Sequence, residues 1–448
     1  MRASRKQRPM IRIDGSFGEG GGQILRTALA LSLATLTPFT ITRIRANRKQ
    51  PGLMRQHLAA VLAAARVGGA DAPDVAPGTT SLTFRPETVR SGRYRFNVGS
   101  AGSATLVLQA VLPPLLLSDG ASELTLEGGT HNPFAPPFDF IGQAFLPRIR
   151  QMGPEVTAVL DRPGFFPAGG GRFQVGVRPC PHLAPIHLLR RGAVRRITGK
   201  AVLSRLPRHI AQREIEVVRR DLGLPAEALS IEEIGNSPGP GNIVTVTVES
   251  DAGVEVFSGV GRRGVPAEEV AAGVTAEVRE YLAADVPVGR RLADQLLVPL
   301  ALAGGGRFRT LPPSLHTRTN AHVIRQFLDI DIRMTDLGDG SWEIALSRDP
   351  VAAPCHGDRS SANPVSSFTL TGIRGPRTAT RGIQEAPSPF ALLNGSGDLQ
   401  GLPGQERRDE GQDGGYEEGQ EGRLVPGRGK PDRKSTRLNS SHRIRTRM

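Results

Sequence analysis

Met10–Asp14 alternates apolar and polar side chains, as a half-buried strand does. A glycine-rich turn, Gly15–Gly22, separates it from Gln23–Leu36, an almost unbroken apolar run that predicts a helix. Phe39–Arg45 alternates again, and Pro51–Val67 carries Leu53, Leu58, Val61, Leu62 and Ala65 at helical spacing. Ser81–Val98 holds two more strand candidates around a polar turn. The second of these begins the same order again: Tyr94–Val98 as strand, the small-residue turn Gly99–Ala104, a helix over Thr105–Leu117, and a strand at Glu123–Glu127. Pro137–Met152 follows as a helix with Phe140, Ile141, Phe145, Leu146 and Ile149 inward, and strands at Val156–Leu160 and Arg172–Val177 close the unit. A third, partial copy comes late. It has helices at Leu292–Leu302 and Ala321–Phe327, and strands at Arg307–Leu311, Ile330–Met334 and Ser341–Ser347. The repeat is one of elements rather than of letters.

Ile186–Pro287 breaks the rhythm with strands at Val194–Leu203, Ile231–Ile234, Asn242–Glu249 and Val254–Val260, and helices at Arg208–Asp221 and Pro266–Ala283. That is enough for a small inserted α/β domain. The expected divisions are 10–185 for two repeats, 186–287 for the insert, 288–348 for the third repeat and 349–448 for a tail. The tail is rich in Gly, Pro, Ser, Arg and Glu without apolar periodicity, a composition that predicts disorder.

Charge changes the picture next. The chain has 448 residues and a formal net charge of +14, carried mainly by arginine; Lys6, Lys49, Lys200, Lys430 and Lys434 are its lysines. Such a balance favours phosphate-rich partners. Two cysteines, Cys180 and Cys355, form neither a metal spacing nor a disulfide framework. No leader pattern opens the chain. The most apolar run, Thr105–Ser118, is interrupted by Pro113 and Pro114 and is too short to span a bilayer. A soluble, cytoplasmic protein is expected.

Candidate chemistry gathers at the turns. In D-G-S-F-G-E-G-G-G-Q-I-L-R, Asp14–Arg26, consecutive glycines leading into a helix make an anion site. Glu19 suits such a cradle only with a bridging cation; a tight strand-to-helix turn with an exposed Glu uses the same letters. The string is neither a P-loop nor a dinucleotide fingerprint. R-A-N-R-K-Q-P-G-L-M-R-Q-H brings Arg45 and Arg48 at a strand end near Arg55, Gln56 and His57 at a helix start, a phosphate-binding set or a solvated basic face. Gln109 is a lone polar residue in an apolar helix, aimed at a cavity or a capping partner. Gly128–Phe140 is a Pro/Phe loop suited to stacking a base or to packing on the core, and Pro163–Phe173, with its three glycines, fits a close backbone crossing. Asp294 and Gln295 interrupt an apolar helix; the carboxylate could orient an imidazole or bind a metal, or simply mark an exposed face. His316, in L-P-P-S-L-H-T-R-T-N, is expected on a stiff loop just ahead of a helix N-terminus.

Taken together and in this order, with P-G-F-F-P-A-G-G-G and L-A-D-Q, these strings resemble the RNA 3′-terminal phosphate cyclase family over about 10–347. The resemblance implies three α/β units, each of two helices on a four-stranded sheet, with a smaller insert before the third. It also implies ATP, a divalent metal (Mg²⁺ or Mn²⁺) and RNA 3′-phosphate ends as partners. In the family a histidine at the place of His316 takes AMP from ATP and passes it to the RNA 3′-phosphate. The neighbouring 2′-hydroxyl then displaces AMP to close a 2′,3′-cyclic phosphate. Carried over by position, Glu19 holds the metal, Arg26, Arg45, Arg48, Gln56 and Gln109 surround the phosphates, Asp294 lies beside the nucleotide and His316, and Pro136 lies against adenine. Two positions depart from the pattern: Arg291 replaces an aromatic residue that stacks on adenine, and Pro163 replaces Arg or His. A guanidinium also stacks.

The competing readings carry different signatures. A non-catalytic, cyclase-like RNA-processing or ribosome-assembly protein would lack His316. An enolpyruvyl transferase would need lysine-rich contacts, and a lysine-based RNA ligase a Lys-x-Asp-Gly that this chain does not have.

Overall fold

Ile11–Asp14 (β1) lies parallel to Phe39–Thr42 (β2), with Ile11 opposite Phe39 and Ile13 opposite Ile41. The crossover between them is Gly22–Thr35 (α1), a helix buried on most sides, ten of its fourteen residues lying in the interior. The computed structural model describes residues 9–70 and 74–348. Arg55–Gly68 (α2) then returns the chain to Leu82–Phe84 (β3), antiparallel to β2, so the first sheet has the order β1-β2-β3.

The second unit repeats this path and completes it. Arg93–Asn97 (β4) pairs parallel with Ser122–Gly128 (β5) across Ala104–Leu115 (α3). Ser103 caps α3, its Oγ accepting from Leu106 N at 3.3 Å. A helical stretch follows: Phe138–Phe140 (α4), a π turn over Ile141–Phe145, and Leu146–Gln151 (α5). Glu155–Arg162 (β6) and Gly171–Arg178 (β7) form the antiparallel hairpin, giving the order β4-β5-β7-β6. All five inward positions expected on this stretch, from Phe140 to Ile149, are buried.

The third unit has the same topology but is split. Its first strand is only His187–Leu188 (β8), parallel to Gly305–Thr310 (β13). Between them run the insert and Arg290–Ala303 (α8). Leu315–Phe327 (α9), Asp331–Asp336 (β14) and Trp342–Ser347 (β15) finish the sheet in the order β14-β15-β13-β8. The insert makes its own four-stranded sheet from Val194–Ser204 (β9), Leu229–Glu233 (β10), Gly241–Ser250 (β11) and Gly253–Val260 (β12), in the order β10-β9-β11-β12. His209–Leu222 (α6) and Ala267–Ala284 (α7) cover it, and Val244, Val246 and Val248 meet Val217, Val218, Val274 and Val278 in a separate core.

α1 touches α2, α3, α8 and α9, so the helical faces of all three repeats meet around it. Leu25, Leu29, Leu31 and Leu33 are fully buried there, each contributing about 1.5–3 kcal/mol. The insert reaches this core through β12: Glu255 Oε1 accepts from Gly289 N at 2.8 Å, immediately before α8. Burial pushes the Glu255 carboxyl up to about 7, against the Gly289 hydrogen bond and the nearby Arg148 and Arg291. The expected tail, 349–448, lies outside the described residues, as does Cys355. No helix among the described residues is long and apolar enough to cross a membrane.

Candidate active site

Four helices of the repeat core deliver one polar network. His316 is the second residue of α9, whose N-cap Ser314 accepts from Thr317 N at 3.2 Å. The expectation of a loop histidine ahead of a helix at Ala321 is corrected here. Pro312 and Pro313 do hold the approach, but the helix starts immediately after Ser314, because that hydroxyl satisfies the first turn's free N–H.

His316 Nδ1 lies 2.7 Å from Gln23 Oε1, and Gln23 Nε2 donates to Asp294 Oδ1 at 2.5 Å. With the Gln23 amide N–H spent on Asp294, its carbonyl oxygen, an acceptor only, faces the imidazole. The proton on Nδ1 is therefore donated to Gln23, and in the neutral imidazole the lone pair is on Nε2. Asp294 is held further by Asn320 Nδ2 at 3.2 Å and by Gln295 Nε2 at 3.0 Å. The network then runs on: Gln109 Nε2 donates to Gln295 Oε1 at 2.5 Å, and Arg26 Nε donates to Gln109 Oε1 at 3.0 Å. Thr27 Oγ1 fixes Asn320 by donating to its Oδ1 at 2.8 Å. Burial pushes the Asp294 carboxyl above its ordinary range, opposed by His316, the Gln23 amide, Arg26 and Asn320. Burial also lowers Arg26 to about 10, with Asp294 opposing, which leaves it charged at neutral pH. Gln23, Arg26, Gln109, Asp294, Gln295 and Asn320 line a cavity of about 50 Å³. His316 itself is half exposed, open to a substrate.

The glycine turn supplies the carboxylate. Gly18 has φ +56° and lies so close to Thr319 Oγ1 that a side chain there would collide. Glu19 N donates to that same hydroxyl at 3.2 Å, which docks the turn on α9. Glu19 Oε1 pairs with Arg48. Glu19 Oε2 is buried, has no hydrogen-bond partner and lies 3.6 Å from His316 Nδ1. Among the described residues no group of three or more His, Cys, Asp or Glu is placed to hold a metal. A single orphaned carboxylate oxygen nevertheless fits Mg²⁺, which keeps several waters and takes one or two carboxylates plus substrate phosphates.

Of the residues expected at the site, the structure brings together His316, Glu19, Arg48, Asp294, Arg26 and Gln109. The others engage nearby backbone. Arg45 follows β2 in a turn at φ +54° rather than ending the strand, and its Nη1 donates to the carbonyls of Gln50 and Gly52 at 2.7 and 2.9 Å. Gln56 Oε1 accepts from Ser103 N at 3.1 Å, and the Pro136 carbonyl accepts from Thr105 Oγ1 at 2.8 Å. His57 is buried; that burial, with Arg26 and Arg45 nearby, holds it neutral, well below the usual imidazole range. Arg291 lies over the Phe140 ring at 5.8 Å and donates to Ser258 Oγ at 3.1 Å. The three-glycine string is the backbone crossing expected: a side chain at Gly164 would strike Gly171, and one at Gly169 would meet Ala101 at 2.6 Å. Nothing in the structure explains Pro163.

The sequence reading missed Gln23 and Asn320. The signal that singled out Gln109, a polar residue on an apolar helix, was present at Gln23 too.

The sequence profile of the RNA 3′-terminal phosphate cyclase family matches residues 17–334, from the glycine turn into β14. The chain belongs to this family. It is 48% identical over 347 residues to an RNA 3′-terminal phosphate cyclase of Koribacter versatilis (strain Ellin345), covering 78% of this chain and 98% of that protein. It is 46% identical over 334 residues to one of Ralstonia nicotianae (strain ATCC BAA-1114 / GMI1000), covering 74% and 96%. Membership in the cyclase family makes the chain an enzyme of ATP-dependent nucleotidyl transfer.

Proposed function

We propose that this chain converts RNA 3′-terminal phosphates to 2′,3′-cyclic phosphates in the cytoplasm, with AMP carried on His316. The observation that carries this reading is the hydrogen bond from His316 Nδ1 to Gln23, itself fixed on the buried Asp294. That bond fixes the ring of a half-exposed side chain and, in the neutral imidazole, puts the lone pair on Nε2, which is what an attack on phosphorus requires. Nε2 bonds to the α-phosphorus of ATP and pyrophosphate leaves. An oxygen of the RNA 3′-phosphate then bonds to the same phosphorus, and the P–N bond breaks to restore the imidazole. The RNA 2′-hydroxyl finally attacks the 3′-phosphorus, loses its proton, and displaces AMP.

Positioning and charge neutralisation supply most of what such transfers need. Arg26, charged and tied to Gln109, offers one fixed cation. Arg48 offers another beside Glu19. The orphaned Glu19 Oε2 would hold a Mg²⁺ or Mn²⁺ ion, which offsets phosphate charge when bound. Arg45, Gln56 and Pro136 would frame the nucleotide through the turns they brace. On the same footing, residues 10–185 and 288–348 form the cyclase repeats and 186–287 the insert, with β8 lent to the third sheet.

Incubation with α-labelled ATP and either metal is expected to label the protein, and His316→Ala to abolish the label. An undiminished label on His316→Ala would remove the mechanism.

A further inference from the structure

Phe134 is anomalous within the Gly128–Phe140 loop. Its backbone sits at φ +64°, a region bulky residues rarely adopt, yet the residue is 53% exposed and so gains little burial. A strained, outward-held aromatic side chain is not accounted for by folding. The Arg262 guanidinium carbon lies 5.5 Å from the ring centroid. Arg262 and Arg263 belong to the G-R-R-G turn that follows β12; both are exposed, and among the described residues neither pairs with a carboxylate.

The pair is attached to the elements that frame the active site. Pro136, two residues beyond Phe134, is bonded to Thr105, which lines the same cavity as Gln109 and Asp294. On the other side, Ser258 of β12 holds Arg291 in the first turn of α8, the helix that carries Asp294. An open aromatic face beside arginines without carboxylate partners is the combination that holds single-stranded nucleic acid. A base stacks on the ring and the guanidinium adds a cation–π or phosphate contact.

We propose that Phe134 and Arg262 form a stacking platform for a base near the 3′ end of the RNA, with Arg263 taking a backbone phosphate. The inference rests on the reading of this chain as a cyclase of RNA 3′-phosphates. It assigns the grip on the RNA to the Phe134 loop and the insert's turn, apart from the ATP-handling network around His316.

Phe134→Gly is the informative variant, because glycine adopts this backbone freely and the fold is preserved. Two readouts separate the substrates: formation of the protein–AMP adduct from ATP without RNA, and cyclisation of an RNA 3′-phosphate oligonucleotide. Phe134→Gly and Arg262→Ala are expected to raise the KM for RNA by about 5- to 150-fold, the worth of one stacked base, with the ATP dependence of adduct formation unmoved. An oligonucleotide lacking the 3′-terminal and adjacent bases should bind wild type more weakly by a similar factor and bind Phe134→Gly with no further loss. Direct binding of the oligonucleotide by fluorescence anisotropy keeps the platform testable if no adduct forms, an outcome that would instead refute the adenylation reading. An unchanged RNA KM in both variants overturns the proposal. So does a raised ATP requirement with RNA KM unchanged, which would assign the ring to adenine.

Discussion

Replacing Gln23 by Leu tests the link between the buried network and His316, the proposed nucleophile. Gln23 is nearly buried and uses both ends of its amide, one on His316 Nδ1 at 2.7 Å and one on Asp294 Oδ1 at 2.5 Å. Leucine has a similar volume, so packing changes little while both bonds disappear. A hydrogen bond to a charged group contributes about 1.5–3 kcal/mol, which corresponds to about 10- to 150-fold in rate if it is lost only from the transition state. Glu19 Oε2, at 3.6 Å from Nδ1, is too far to replace the bond without movement. Single-turnover formation of labelled protein–AMP across a range of ATP concentrations separates the maximal rate from ATP affinity. The rate should fall within that range and the half-saturating ATP concentration should move much less. A wild-type maximal rate in Gln23→Leu would refute the claim that this bond orients His316.

Further outcomes follow from other parts of the molecule. Glu19→Gln should raise the Mg²⁺ or Mn²⁺ concentration needed for half-maximal adduct formation, read by metal titration, because it removes the carboxylate whose Oε2 has no hydrogen-bond partner. Burial pushes Glu214 up to about 8 from 4.5, with the Asn242 hydrogen bond opposing. The folded state then keeps a proton that the unfolded chain releases, so stability is greatest below about pH 4.5 for this group and falls as pH rises to about 8. At 1.36 kcal/mol per unit the whole loss is on the order of 4–5 kcal/mol, and Glu214→Gln should flatten it in urea titrations at pH 6 and pH 8.5. Leu29→Ala, in the shared core on α1, should cost about 2–5 kcal/mol by the same method. Deleting residues 349–448 should leave adduct formation intact, since the family match ends at residue 334.

The long amphipathic or apolar helices and the alternating strands were legible because each buries one repeating face. The insert's elements fall within a few residues of their expected bounds for that reason. β8 was not legible: two residues, His187 and Leu188, carry no period, and their partner β13 lies beyond the whole insert. The start of α9 was misplaced because the hydroxyl residues after Pro313 read equally as loop and as cap; only the closed Ser314–Thr317 bond decides. At the site, single letters such as His316, Glu19 and Asp294 stood out as polar residues in unusual company. Their partnership came only from the family resemblance and not from the letters themselves, because it depends on helices from three repeats meeting around α1. Gln23 was hidden at the end of the glycine string, which reads as a phosphate cradle or a tight strand-to-helix turn.

The central claim is a covalent bond between AMP and His316, and peptide mapping of the ATP-treated protein tests it most directly. Mass spectrometry after proteolysis should find one AMP on the peptide containing His316, lost in His316→Ala and chased off by an RNA 3′-phosphate oligonucleotide. AMP on another residue, or cyclisation by a protein that never carries AMP, would contradict the account.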